Sequence, residues 1–128
     1  MSRAKGVRKP CDARQARQRL IDARQFLEAA ELLDAPDVVA TNAIHAAIAA
    51  ADVFTCFALS ERSSDGNHVS AVDLLRQVDA SLATTLKRAL DRKTQASYES
   101  ADISEADATS CVRWARQLLV AAEARLEV

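Results

Sequence analysis

Asn42, His45, Ala49, Asp52 and Cys56 recur in steps of three and four residues, so they share one face of a helix. The stretch "NAIHAAIAAADVF" (42–54) that holds most of them is alanine-rich and otherwise apolar. A carboxylate in such a setting needs a counter-charge or water. A matching anomaly lies further along the chain. Leu82, Leu86, Ala89, Lys93 and Ala96 form an apolar stripe in which Lys93 takes a core-type position. Asp52 and Lys93 are therefore expected partners across the gap between two helices. The pair reads in two ways. It is an ion pair that fixes the register of a bundle, or it belongs to a polar pocket built from Asn42, His45, Asp52, His68, Lys93 and Tyr98. Exposure of both charges to water is a third outcome.

The remaining pocket residues have their own alternatives. His68 opens a helix just after Gly66 and Asn67, where free backbone amides could join it in holding an anion. It could equally make only a turn hydrogen bond. His45, among alanines, reads as an interface histidine as readily as a ligand. Tyr98 reads as a packing residue with its hydroxyl at the surface. If a ligand site exists, it is expected between the second and fourth helices. There Lys93 and His68 would meet phosphate, Asp52 would hold Lys93, and the alanine wall would take an apolar group.

Familiar catalytic signatures are scarce. The chain has no glycine-rich phosphate loop, no H-E-x-x-H and no G-x-S-x-G. Two histidines and three dispersed cysteines make no metal cluster by spacing, and no cofactor is called for. Cys11, Cys56 and Cys111 are odd in number and lack a C-x-x-C, so they are expected to be reduced packing residues of a cytoplasmic protein.

The elements that position these groups are legible from periodicity. With 128 residues, 49% apolar, and only two Gly and two Pro, the chain reads as one all-α domain. Apolar positions at Ala13, Ala16, Leu20, Ala23, Leu27 and Ala30 predict a first helix over 12–34. "DAPD" breaks it, and Pro36 suits the first turn of a second helix over 36–61, apolar almost all round. A short third helix is expected over 68–79, capped by Asn67, and a fourth over 82–98, capped by Ser81. Ser104 and Asp107 resemble a capping box for a fifth helix running to residue 126. The predicted architecture is an antiparallel up-and-down bundle of four long helices plus one short one. No apolar stretch reaches membrane-spanning length without polar interruption, so no membrane is expected.

Charge is unevenly placed. Residues 1–24 hold eight Lys/Arg and two Asp, while the other 104 residues hold nine basic and sixteen acidic side chains. Residues 1–11 read as a basic disordered arm before a single domain over 12–128. The arm could touch phosphates, or it could be a solvated tail that docks on the acidic body.

In order and spacing, residues 20–126 resemble the small bacterial HEPN-type helical domains. The resemblance rests on the alanine-rich "NAIHAAIAAADVF", the Gly-x-His turn of "GNHVSAVDLL", the basic residue five before a tyrosine in "KTQASY", and the entry "ISEADA" into a long final helix. It implies a bundle that often forms homodimers, in a family of nuclease toxins, nucleotidyltransferase partners and nucleotide- or RNA-binding relatives. The nuclease members carry an Arg followed four to six residues later by His. Here Arg92 is followed by Lys93, Thr94, Gln95, Ala96, Ser97 and Tyr98, with no histidine in the window. The resemblance thus implies a non-catalytic nucleotide- or RNA-binding or regulatory module, in a toxin–antitoxin or defence setting. The alternatives are a ribonuclease using Arg92 or Lys93 with His68, and a bundle that only binds a partner protein.

Overall fold

The computed structural model describes residues 8–64, 68–98 and 102–127, with residues 95–98 and 127 as backbone only. The protein is predominantly all-α. Five helices, α1 (Ala13–Leu32), α2 (Pro36–Leu59), α3 (His68–Arg76), α4 (Ala80–Tyr98) and α5 (Glu105–Glu127), are joined by short connections. Two three-residue strands, β1 (Arg8–Pro10) and β2 (Glu61–Ser63), pair antiparallel with Lys9 opposite Arg62.

Helix ends follow local chemistry. Asp12 caps α1: its Oδ1 accepts from the Gln15 N–H at 2.8 Å, and its own N–H donates to Gln15 Oε1 at 2.9 Å. Such a box satisfies two otherwise unpaired amides and contributes about 1 kcal/mol. Pro36 starts α2 at a position where its missing N–H costs nothing. α2 ends at Ser60, whose φ of 59° reverses the chain into β2. Asp79, not Ser81, caps α4, its Oδ1 accepting from the Leu82 N–H at 2.9 Å. Asp79 also closes the turn after α3, so the earlier residue wins the cap. The expected Ser104 cap is present, with Oγ accepting from the Asp107 N–H at 3.0 Å. The expected Asn67 cap lies outside the described residues.

α2 is the core. Its alanines 40, 43, 46, 47, 49, 50 and 51 are all buried, together with Ile44, Val53 and Phe54. Small side chains on every face let α1 and α5 approach α2 closely, and their Leu20, Leu27 and Leu118 fill the space between. α3 and α4 pack on each other and complete the core with Leu75 and Leu86. Among the described helices α2 alone is long and apolar enough to cross a membrane, but 67% of its most apolar window is buried inside the bundle.

The expected disordered arm is corrected over its last four residues. Residues 8–10 form β1, and Cys11 is 4% exposed. The Cys11 N–H donates to the Ser60 carbonyl at 2.9 Å, continuing the ladder. Residues 1–7 lie outside the described residues. The cysteine expectation is corrected as well. Cys11 and Cys56 form a disulfide, with Cα atoms 4.9 Å apart. Only Cys111 is the buried thiol that was expected. The two bonded residues are 45 apart in sequence and share no spacing motif. Antiparallel packing of α1 on α2 brings the start of one helix to the end of the other.

Candidate functional site

The polar face of α2 is real, but it meets α1 rather than α4. His45 is exposed and stacks on Phe26 of α1, with ring centroids 5.1 Å apart. Asn42 donates from Nδ2 to the Val38 carbonyl at 3.0 Å, a bond within its own helix. Cys56 closes the face through its disulfide.

Asp52 does not pair with Lys93. Its Oδ2 accepts from Arg19 Nε at 2.9 Å, and Arg62 Nη1 stands 3.7 Å from the same oxygen. Arg19 also donates from Nη1 to Asp22 at 2.9 Å. The reason is topological: α1 covers the α2 face on which Asp52 sits, and β2 folds back over its end. Asp52 also resolves a local conflict. Lys9 and Arg62 are like charges directly opposite each other in the strand pair, a destabilising arrangement, and the carboxylate beneath attracts both.

Burial outweighs these attractions. Asp52 is 3% exposed, and desolvation raises its pKa to about 6 against the pull of Arg19, Arg62 and Lys9. The folded protein therefore holds the Asp52 proton more tightly than the unfolded chain, whose value is near 3.8. The stability this proton confers is fully present below pH 3.8 and is lost as pH rises through about 6. Asp52→Asn should remove that slope. Between pH 5 and 7, urea unfolding should show the wild type losing about 1 kcal/mol relative to the variant. An unchanged difference would show that Asp52 does not titrate in this range.

Of the other expected site residues, Lys93 is half-buried on α4, and its charge reaches the Cys111 thiol. Burial first, then Asp107, pushes that thiol up to about 11, so it stays protonated and donates to the Ala89 carbonyl. The side chain of Tyr98 lies outside the described residues. The six residues thus do not line one pocket: His45 and Asp52 sit against α1, His68 lies at α3, and Lys93 is on α4.

His68 lines a groove between α3 and α4 with a volume of about 390 Å³. Val69, Val72 and Leu90 supply apolar lining, Arg76, Lys87 and His68 can carry positive charge, and Asp73, Asp91 and Thr94 complete the wall. Lys87 holds Asp91 at 2.6 Å, whereas Arg76 has no ion-pair partner among the described residues. This combination of apolar surface with a few convergent polar groups suits a small anionic ligand. Sequence reasoning found only His68 of this set. A signal for the rest existed, since 68, 69, 72, 73 and 76 share one side of α3, and 87, 90, 91 and 94 share one side of α4. Arg19 was also missed, although it lies three residues from Ala16 and four from Ala23, within the core stripe.

Neither a family model, nor a curated protein, nor a solved structure is similar to this chain. The groove's chemistry must therefore be read from its own residues. Among those described, no group of His, Cys, Asp and Glu could hold a metal ion.

Proposed function

We propose that the protein is a non-catalytic, HEPN-like module that binds a nucleotide or RNA, and that the α3–α4 groove is the binding site. The observation that carries this reading is the pairing of Arg76, Lys87 and His68 with the apolar surface of Val69, Val72 and Leu90 in one concavity. Phosphate would meet the cations, and a base or ribose would cover the apolar residues. This replaces the expected site between the second and fourth helices, because Asp52 is occupied by Arg19. Homodimerisation and a regulatory role in a toxin–antitoxin or defence system accompany the HEPN resemblance as parts of the same proposal. The cytoplasmic location is not carried into it, because cystines such as Cys11–Cys56 persist mainly in oxidising compartments.

The test is a thermal-shift series with UMP, ATP and a short RNA on the full chain. Each binder should raise the melting temperature of the wild type. The double variant Arg76→Met, Lys87→Met should lose the shift while retaining its own unliganded melting temperature. No shift with any of them, or an equal shift in the variant, would overturn the proposal.

His68 in the same groove supports a second reading, ribonuclease activity with His68 as acid–base. His68→Ala should then abolish RNA cleavage by the purified protein. Cleavage that persists unchanged would dismiss that reading.

A further inference from the structure

α4 has a concavity on each side. On one lies the groove that holds His68 and Arg76. On the other, Arg88, Arg92, Arg113 and Trp114 line a second hollow of about 480 Å³ between α4 and α5. Asp91 borders both, so the two hollows meet over the exposed ridge of α4. Two of the acids along this path are already paired, Asp91 with Lys87 at 2.6 Å and Asp107 with Arg92 at 2.7 Å, which leaves Asp73 in the first groove as one carboxylate against three arginines. Arg76, Arg88 and Arg113 have no carboxylate partner among the described residues. The path therefore carries unneutralised positive charge from α3 to α5, although the chain as a whole is slightly acidic. Trp114 stands at its far end, half-buried, with the guanidiniums of Arg113 and Arg92 at 5.7 and 5.9 Å from its ring.

We infer that the ligand is a single strand of nucleic acid lying across α4, its phosphates on Arg76, Lys87, Arg88 and Arg113 and one base stacked at Trp114. This rests on the proposed groove and extends it. UMP has a single phosphate and cannot place one on the cations of each hollow across the distance of α4, about 10 Å with its side chains. A strand crosses that distance with phosphates at regular intervals. Cations spaced along a groove and ending at an aromatic ring are how strands are held without sequence readout. A duplex hides its base faces and cannot stack on Trp114. An acidic peptide would use the arginines but has no need of the indole.

Trp114 is the sole tryptophan of the chain, so its fluorescence reports the stacking directly. The experiment titrates full-length protein with a 12-nucleotide oligo(U), the same length of duplex, UMP and poly-glutamate, following both intrinsic fluorescence and anisotropy of a labelled strand. Oligo(U) should quench Trp114 and bind more tightly than UMP, and UMP should bind without quenching. Arg88→Met with Arg113→Met should weaken oligo(U) about tenfold, flatten its salt dependence by about one phosphate contact or more, and leave UMP unaffected. Trp114→Phe should keep most of the affinity, and Trp114→Ala should lose about tenfold. Arg76→Met with Lys87→Met should weaken both ligands. Oligo(U) that binds no tighter than UMP, or that leaves Trp114 fluorescence unchanged, would overturn the strand and leave the groove standing. Equal binding of duplex or poly-glutamate would also overturn it. If neither oligo(U) nor UMP binds, the groove and the strand both fall.

Discussion

Arg19→Met is expected to destabilise the protein by about 2 kcal/mol at pH 7, limited because a carboxyl whose pKa is already raised to about 6 takes up a proton when its cation is lost, whereas Asp52→Asn should cost about 1 kcal/mol or less. The asymmetry follows from where the two partners sit. The Asp52 side chain is 4% exposed and that of Arg19 is 22% exposed. Without Arg19, the carboxylate keeps only Arg62 at 3.7 Å and the more remote Lys9, while still deprived of water. Without the Asp52 charge, Arg19 retains Asp22 at 2.9 Å and reaches solvent, and an asparagine oxygen can still accept from its Nε. Desolvation already exceeds attraction at Asp52, so neutralising the carboxylate removes a cost along with a contact. Urea unfolding at pH 7 checks the order. The double variant should be more stable than Arg19→Met alone, since it has no carboxyl left without its cation. Equal losses in the two single variants, or a double variant worse than both, would show that the pair holds the fold by net attraction.

The ease of reading this chain fell with sequence distance. Helix periodicity is local, and the stripes at Ala16, Leu20, Ala23 and Leu27, and at Ala108, Cys111, Ala115 and Leu118, are buried as the pattern required. The polar face of α2 was legible for the same reason, and so was the need of Asp52 for a cation. Which cation was not. Arg19 and Lys93 both interrupt apolar stripes at similar spacing, and only the packing of α1 over α2 decides between them. The strand pair was illegible in principle: three residues such as Arg8–Pro10 carry no alternation, and they pair because Ser60 turns the chain back toward them. The groove between α3 and α4 was hidden differently. Each of its residues looks like an ordinary surface or core position on its own helix, and a concavity appears only when the two helices are set side by side.

The contacts between α1 and α2 form a polar seam with a consistent antiparallel register: His45 on Phe26, Asp52 on Arg19, and Cys56 bonded to Cys11 just ahead of α1. Apolar alanine surfaces slide past one another at little cost, since many registers bury similar area. Directional contacts at three levels select one. α3 and α4 lie away from the seam and carry Arg76 and Arg88, neither with an ion-pair partner among the described residues. Binding is proposed there, and the seam is assigned to holding the bundle in register.

Reduction of the Cys11–Cys56 bond is expected to lower stability by about 4 kcal/mol, the chain-entropy value for a loop of this size, and the melting temperature by about 15 °C. The bond spans 45 residues, so it restricts the unfolded chain over all of α1 and most of α2. In the folded state it fixes Cys11 directly before the Asp12 cap, and with it the strand that carries Lys9 over Asp52. Loss of the bond should therefore be felt at the acid as well. With β1 free to lift, Asp52 loses the Lys9 charge. Cys11→Ser, Cys56→Ser and Cys111→Ser separate the contributions when melted with and without dithiothreitol. The first two should match the reduced wild type and show no further response to dithiothreitol. Cys111→Ser should keep the full response, because that thiol lies in the core between α4 and α5 and takes no part in the bond. A wild type whose melting temperature ignores dithiothreitol, with both cysteines shown by mass to be reduced, would mean that the strand and the buried cluster of Cys11, Ala16 and Cys56 hold this end of the bundle without the covalent link.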